Sequence, residues 1–432
     1  MAAELGAETV VAAAEPWLMV GAAVTEVPVA AGTPMSGFAA RTEPNAGVHD
    51  PLTVRAVVIE DACWLTIDVC GLDEATCLRI QEAAPLPTTR VIVSATHTHS
   101  GPCSMTDRLG HADPAFVEAL CRAAMETCTE AINNREECSV SFAAISRLGI
   151  AHNRRHPGVP IDPALQVMAF TGSSGSVAAW LLQFPCHPVV LGADNRLISA
   201  DYQGFARQSL ETHVPGSVAL FLTGAAGDVN TGHSPESSYF QGSSPTRTFA
   251  EAERIGETLG KAGRSAQIAA ARPARPFAVV TANIELELAV LDEASPDALA
   301  NRWGHQAVRA ASGEQALMRI WSDWALAQDG TAELRWAGTV AVMRIADILL
   351  VALPGEPFLA AAEQIQRAFA VPVIVAGYSN GCPGYFPTAA EYDRGGYEVL
   401  DAHRYYGMPA PFKRGSLERL VRTAVTLGRQ LT

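Results

Sequence analysis

The run Val91-Ile92-Val93, followed by Thr96-His97-Thr98-His99 and then Ser100-Gly101-Pro102, constrains this chain more than any other stretch. Three consecutive β-branched residues predict a buried strand, and the Ser-Gly-Pro cluster predicts the turn that stops it. The two histidines lie at i and i+2 on the strand's end, and in extended backbone that spacing turns both imidazoles to one side. Imidazole is the commonest metal ligand and the usual proton carrier near neutral pH, so the pair suits a metal-and-base site. Taken alone, it reads equally well as two histidines hydrogen-bonded at a strand rim.

The rest of the chain supplies partners for this strand. Residues 1–17 read as a loose leader: Glu4, Glu8 and Glu15 interrupt the apolar residues, and no basic segment precedes them, unlike a secretory signal. Strand-like segments follow at Leu18–Val29, Thr53–Glu60 and Cys63–Val69. A helix over Asp73–Ala84 then leads into the His97 strand, giving a β-β-α-β order. Asp113-Pro114 has the form of an N-cap followed by a first-turn proline, opening a helix through Ile132. Val177–Phe184 is another strand, and it ends in Pro185-Cys186-His187. Ser217–Thr223 runs into Gly224-Ala225-Ala226-Gly227-Asp228, which lacks the Gly-Lys-Ser/Thr of a phosphate loop. Pro296–Ala327 reads as one helix whose Trp303, Trp321 and Trp324 serve packing. Asp347–Leu353 is a buried strand followed by Pro354-Gly355-Glu356, which leaves Glu356 at a strand-to-helix turn where the helix dipole favours a carboxylate. Such a glutamate is commonly only a first-turn acid. The chain closes with a helix over Ser416–Leu431.

Composition narrows the function classes. The 432 residues are 48% hydrophobic, enough for one large core, and the net charge of -14 argues against a nucleic-acid surface. No run of about 18 apolar residues occurs, which argues against stable membrane insertion. Nine cysteines are scattered without a CxxC spacing, and with no export signal they are expected to be reduced thiols in the cytoplasm.

His97, His99, His187 and Glu356 thus each follow an apolar strand, and sites in α/β sheets lie beyond strand ends. Two histidines and a carboxylate form the donor set of many catalytic zinc sites. Their separation in sequence leaves open whether they meet.

An ordered series of motifs adds to this. It comprises Gly37-Phe38-Ala39, Gly47-Val48-His49, Val54-Arg55-Ala56, Thr96-His97-Thr98-His99-Ser100-Gly101-Pro102 and Asn153-Arg154. It continues with Phe184-Pro185-Cys186-His187, Ser199-Ala200-Asp201, Ala226-Gly227-Asp228-Val229, Pro354-Gly355-Glu356, and Tyr385 through Glu391-Tyr392 to Tyr397-Glu398. With these the chain resembles the catalytic domain of the neutral (non-lysosomal) ceramidases, zinc amidohydrolases that cleave the amide of ceramide. The resemblance implies an α/β fold with a mixed β-sheet core and helices packed outside. It implies that His97, His187, Glu356 and Tyr385 ligate Zn2+, that His99 handles the proton of the attacking water, and that Arg154 and Tyr397 contact the substrate and its developing oxyanion. His49 matches a family position too, with a structural role expected.

The chain departs from the family pattern in having no counterpart of the C-terminal immunoglobulin-like domain, so a single catalytic domain over residues 18–432 is expected. Cys103 after the core turn, Pro188 after His187 and Cys382-Pro383-Gly384 before Tyr385 are further departures, and the two thiols are given no catalytic role. An acidic chain without an evident means of docking on an anionic membrane suggests a small soluble amide or N-acyl substrate rather than ceramide itself. An ester or a cyclic amide is the alternative substrate, and a non-catalytic zinc- or ligand-binding relative the alternative function.

Overall fold

The computed structural model describes residues 17–106, 108–233, 244–266, 276–290, 295–310, 312–328 and 333–432. All of the expected leader except Trp17 lies outside them. Eight strands form one large sheet: β1 (Leu18–Val27), β2 (Leu52–Ile59), β3 (Ala62–Ile67), β4 (Val91–Ala95), β5 (Glu136–Ile145), β6 (Leu165–Gly172), β7 (Val177–Phe184) and β8 (Val218–Thr223). Their spatial order is β8-β7-β6-β5-β1-β2-β3-β4. The two outermost pairs, β8 with β7 and β3 with β4, are parallel, and every pairing between them is antiparallel. A second sheet has the order β9 (Ala278–Glu287), β10 (Arg335–Ile345), β11 (Ile348–Ala352), β12 (Val373–Ala376), with only the last pair parallel.

The two sheets pack face to face, and side-chain alternation shows it. In β2, Val57 and Ile59 join Leu181 of β7 and Met343 and Ile345 of β10 in one cluster between the sheets. Val54, Ala56 and Val58 point the other way, towards Leu120 and Ala124 of the helix Pro114–Asn133. In β10, Val340 and Val342 likewise face Leu420 and Ala424 of the helix Ser416–Leu431. Period-2 strands with both faces apolar can bury both only in a layered stack, here helix, sheet, sheet, helix. The mixed α/β expectation holds, with the core divided between two sheets rather than confined to one.

Local details follow the residues. Asp73 caps the helix Glu74–Ala83 by accepting from the Thr76 N–H at 2.7 Å, and Asp113 caps its helix from the Ala115 N–H at 2.9 Å. The stretch expected as one helix over 296–327 is two, Pro296–Ala307 and Ser312–Leu326. Trp303, Trp321 and Trp324 meet where these helices pack, and the Arg404 guanidinium lies 5.1–5.4 Å from all three rings. All nine cysteines are free and buried. Among the described residues no helix is long and apolar enough to cross a membrane.

Candidate metal and catalytic site

The C-terminal ends of β4, β7, β11 and β12 converge at one end of the stack, and each delivers a functional side chain a few residues beyond its last paired residue. His97, after β4, adopts φ +67, and its N–H donates to the Val69 carbonyl at 2.9 Å. Beneath it, the buried Asp68 carboxylate accepts from Arg207 through two 2.8 Å bonds and from Thr96 Oγ1 at 3.1 Å, fixing the turn's approach. His187, after β7, donates its N–H to the Val229 carbonyl at 3.0 Å. Glu356, after β11, sits in a two-residue parallel bridge in which it pairs with Tyr385 and Pro357 with Phe386. A Cβ at Gly227 would lie 2.5 Å from the Glu356 carbonyl oxygen, so the glycine of Ala226-Gly227-Asp228 permits a close backbone contact.

The side chains come together as the donor set required. His187 Nε2 lies 2.9 Å and His97 Nε2 3.4 Å from Glu356 Oε2, and all three residues are buried. The imidazole Nδ1 atoms face backbone carbonyls, His97 that of Cys70 and His187 those of Ala226 and Val229 at 2.7 and 3.0 Å. Those bonds assign the proton to Nδ1 and turn both Nε2 lone pairs towards the carboxylate. The third histidine, His99, approaches with Nε2 3.2 Å from His97 Nε2, while its buried Nδ1 has no hydrogen-bond partner. Lone pairs facing one another beside a buried carboxylate call for positive charge between them, and a divalent ion fits the set.

Titration directions agree with that demand. Burial pushes the Glu356 carboxyl up, yet the two imidazoles outweigh it and hold it well below the usual carboxylate range. Burial would lower His97, but Cys70 and Glu356 raise it to about 10, so negative charge around this imidazole favours a cation there. Burial brings His187 down to about 4, and burial, ahead of the neighbouring imidazoles, lowers His99 well below its ordinary value.

Two tyrosines that sequence reasoning missed also hold Glu356. The Tyr406 hydroxyl donates to Oε1, and the Tyr378 hydroxyl lies 3.3 Å from Oε2, with its ring stacked 4.2 Å from that of His97. Tyr378 follows β12 as His97 follows β4, so the strand-end signal was there to be read. Tyr406 carries no such signal.

The remaining candidates line the space above the cluster. Tyr385 places its ring 5.9 Å from Tyr397 and 5.4 Å from the Arg154 guanidinium. Arg154 is buried and paired with Glu398 at 3.0 Å, and Arg155 binds both Glu391 and Glu398, so this arginine pair straps the loop carrying Tyr397. His99, Arg154, Tyr385 and Tyr397 share a small inner pocket of about 50 Å³. Arg154, Asn230 and Tyr397 also border an outer cleft of about 870 Å³. Gly37 backs the pocket, since a Cβ there would come within 2.6 Å of the His99 ring. His49 lies apart, stacked 3.7 Å from Phe249 and bonded to Asp50. The structure thus joins His97, His187 and Glu356 directly, with His99 against them, and sets Tyr385, Arg154 and Tyr397 around the opening.

A buried pair of histidines with one carboxylate, their far nitrogens tied to the backbone and a third histidine alongside, is a donor set that could hold a single metal ion. Residues 19–238 match the family model described as neutral/alkaline non-lysosomal ceramidase, N-terminal, and the chain belongs to that family. The neutral ceramidase of Pseudomonas aeruginosa is 26% identical over 453 residues, covering 85% of this chain and 66% of the relative, so this chain spans just under two thirds of it. The crystal structure of neutral ceramidase from Pseudomonas aeruginosa matches with a TM-score of 0.74 at 17% identity, over 97% of this chain and 75% of that one. A ceramidase complexed with C2 matches with a TM-score of 0.76, also at 17% identity, over 96% and 75%. These structural matches establish the shared fold.

Proposed function

We propose that this chain is a zinc-dependent amidohydrolase whose ion would be held by His97, His187 and Glu356, with Tyr385 as a further candidate ligand. The observation that carries the reading is the pair of backbone-anchored imidazoles presenting Nε2 to a buried carboxylate. Bound there, zinc would lower the pKa of water to about 7 and polarise an amide carbonyl. His99, neutral and 3.2 Å from His97, takes the proton of the attacking water and returns it to the leaving nitrogen. Arg154 and the Tyr397 hydroxyl donate to the carbonyl oxygen as it gains charge, roughly 3–4 kcal/mol per donor in such sites. Tyr378 and Tyr406 hold the Glu356 carboxylate in place.

The substrate is a small soluble N-acyl compound rather than a two-chain lipid. Support comes from the acidic balance of the chain, whose net charge of -14 disfavours docking on an anionic membrane, while the outer cleft mixes Arg155, Glu251 and Arg394 with Pro157, Val159, Val190 and Ile255. Elemental analysis of purified protein tests the centre. About one zinc per chain is expected in the wild type, and none in His97→Ala or Glu356→Ala. Wild-type protein that takes up no zinc from a zinc-containing buffer would sink the mechanism.

A further inference from the structure

Most charged side chains around the inner pocket have their donors or acceptors engaged. The Glu356 carboxylate faces the two imidazoles that would share its ion and takes two tyrosine hydroxyls, and Arg154 takes Glu398. Arg41, behind His99, donates Nη1 to the Ser36 and His99 carbonyls and Nη2 to that of Gly192. Each of these two arginines also keeps one buried donor without a hydrogen-bond partner, Nε in Arg41 and Nη2 in Arg154. Arg41 does not line the pocket, however, and Arg154 has its carboxylate; Arg247 lines the pocket and has none among the described residues. It stands in the turn before the helix Phe249–Ala266 and lines the same pocket as His99, Arg154 and Tyr397. Its Nη2 donates to the Val189 carbonyl at 3.0 Å, and its Nε is buried with no hydrogen-bond partner.

Arg247 makes no ion pair with any described residue. Asp194 and Asp201 act on it only through space, and the Asp201 carboxylate is already engaged by the N–H groups of Leu191 and Tyr202 at 3.0 and 2.7 Å. The guanidinium lies 5.3 Å from the Phe38 ring, whose centroid is 5.0 Å from that of His99. One aromatic ring therefore spaces this cation from the proposed base. Half-desolvated and short of acceptors, it lacks, among the described residues, the partner that a guanidinium's fork of donors is shaped for, a carboxylate.

We infer that Arg247 is the specificity-determining residue of the site and that it receives a carboxylate of the substrate, so the amides taken are acidic ones. The inference rests on the amide-hydrolase reading and names the substrate class within it. The whole chain carries net charge -14, so a pocket cation of this kind selects an anion at short range rather than drawing anions to the molecule at large. No chemical step is added. The carboxylate orients the substrate while water cleaves the C–N bond as before.

Matched substrates test it. N-octanoylserine and N-octanoylserinol differ only in a carboxylate against a hydroxymethyl group on the amine side. N-hexylglutaramic acid and N-hexylpentanamide place the same kind of contrast on the acyl side. With zinc-loaded wild type, the acidic member of one pair is expected to have a kcat/KM about tenfold higher or more, mainly through KM. Arg247→Gln should bring that pair to parity, and Arg247→Lys should retain part of the preference. Parity or a neutral preference in both pairs overturns the inference, and so does a preference that persists in Arg247→Gln, since the metal would then be taking the carboxylate. The wild-type comparison stands even if a variant fails to fold. If wild type hydrolyses none of the four, the amide-hydrolase reading fails, and calorimetric titration of zinc-free wild type decides the inference separately. Binding of an acidic member, weakened in Arg247→Gln, supports it, and equal binding within both pairs, or none, overturns it.

Discussion

At His97 the backbone enters a region that residues other than glycine rarely occupy, at a typical cost of about 1–3 kcal/mol. The neighbours compensate: its N–H binds Val69, its Nδ1 faces the Cys70 carbonyl and its ring stacks on Tyr378. At this scale the sequence was informative wherever a residue's role follows from its place on an apolar strand, as for His97, His187 and Glu356. It was silent on Tyr406, because a tyrosine in a Gly- and Pro-rich loop has nothing local to mark the carboxylate it will reach. The two proposed oxyanion donors, Arg154 and Tyr397, allow a clean prediction. Tyr397→Phe removes one hydroxyl and leaves the ring contact with Tyr385, so kcat should fall by about 10²–10³ with KM little changed. Steady-state kinetics check this, and a change confined to KM would reassign Tyr397 to ground-state binding.

Among elements, the turn after β4 depends on a buried ion pair directly behind it. Asp68 and Arg207 are both buried and joined by two bonds, and Asp68 also accepts from Thr53 and Thr96. Asp68→Asn would leave Arg207 buried and unpaired, with an expected loss of about 3–5 kcal/mol measurable by denaturant unfolding. Burial alone would raise the Asp68 carboxyl, but Arg207 outweighs it and holds the group below its ordinary value. A depressed carboxyl stabilises the fold above its unfolded pKa of about 3.9, and that contribution disappears as pH falls through the folded value. Wild-type stability should therefore drop below about pH 4, and Asp68→Asn should show a shallower acid slope. Strands such as β2 and β7 were legible because β-branched and aromatic runs have few other uses. Their division between two sheets was not, since which strand pairs with which is settled by packing rather than by local pattern. The break between the helices Pro296–Ala307 and Ser312–Leu326 was missed because no proline marks it.

For the whole molecule, the proposed ion ties the large sheet, which carries His97 and His187, to the small one, which carries Glu356. An ion bound only by the folded state stabilises it by mass action, about 2.7 kcal/mol at a free concentration 100-fold above Kd. Chelation should lower the unfolding temperature of the wild type, with restoration by zinc and no response in Glu356→Ala; scanning calorimetry with and without chelator checks this. His187 and Glu356 are 169 positions apart in the chain. A partly folded form with every strand in place but the sheets undocked would hold the ligands too far apart to share an ion. Uptake of the ion during refolding would then time the docking of the two sheets, and a stopped-flow metal indicator could serve as a clock for tertiary assembly.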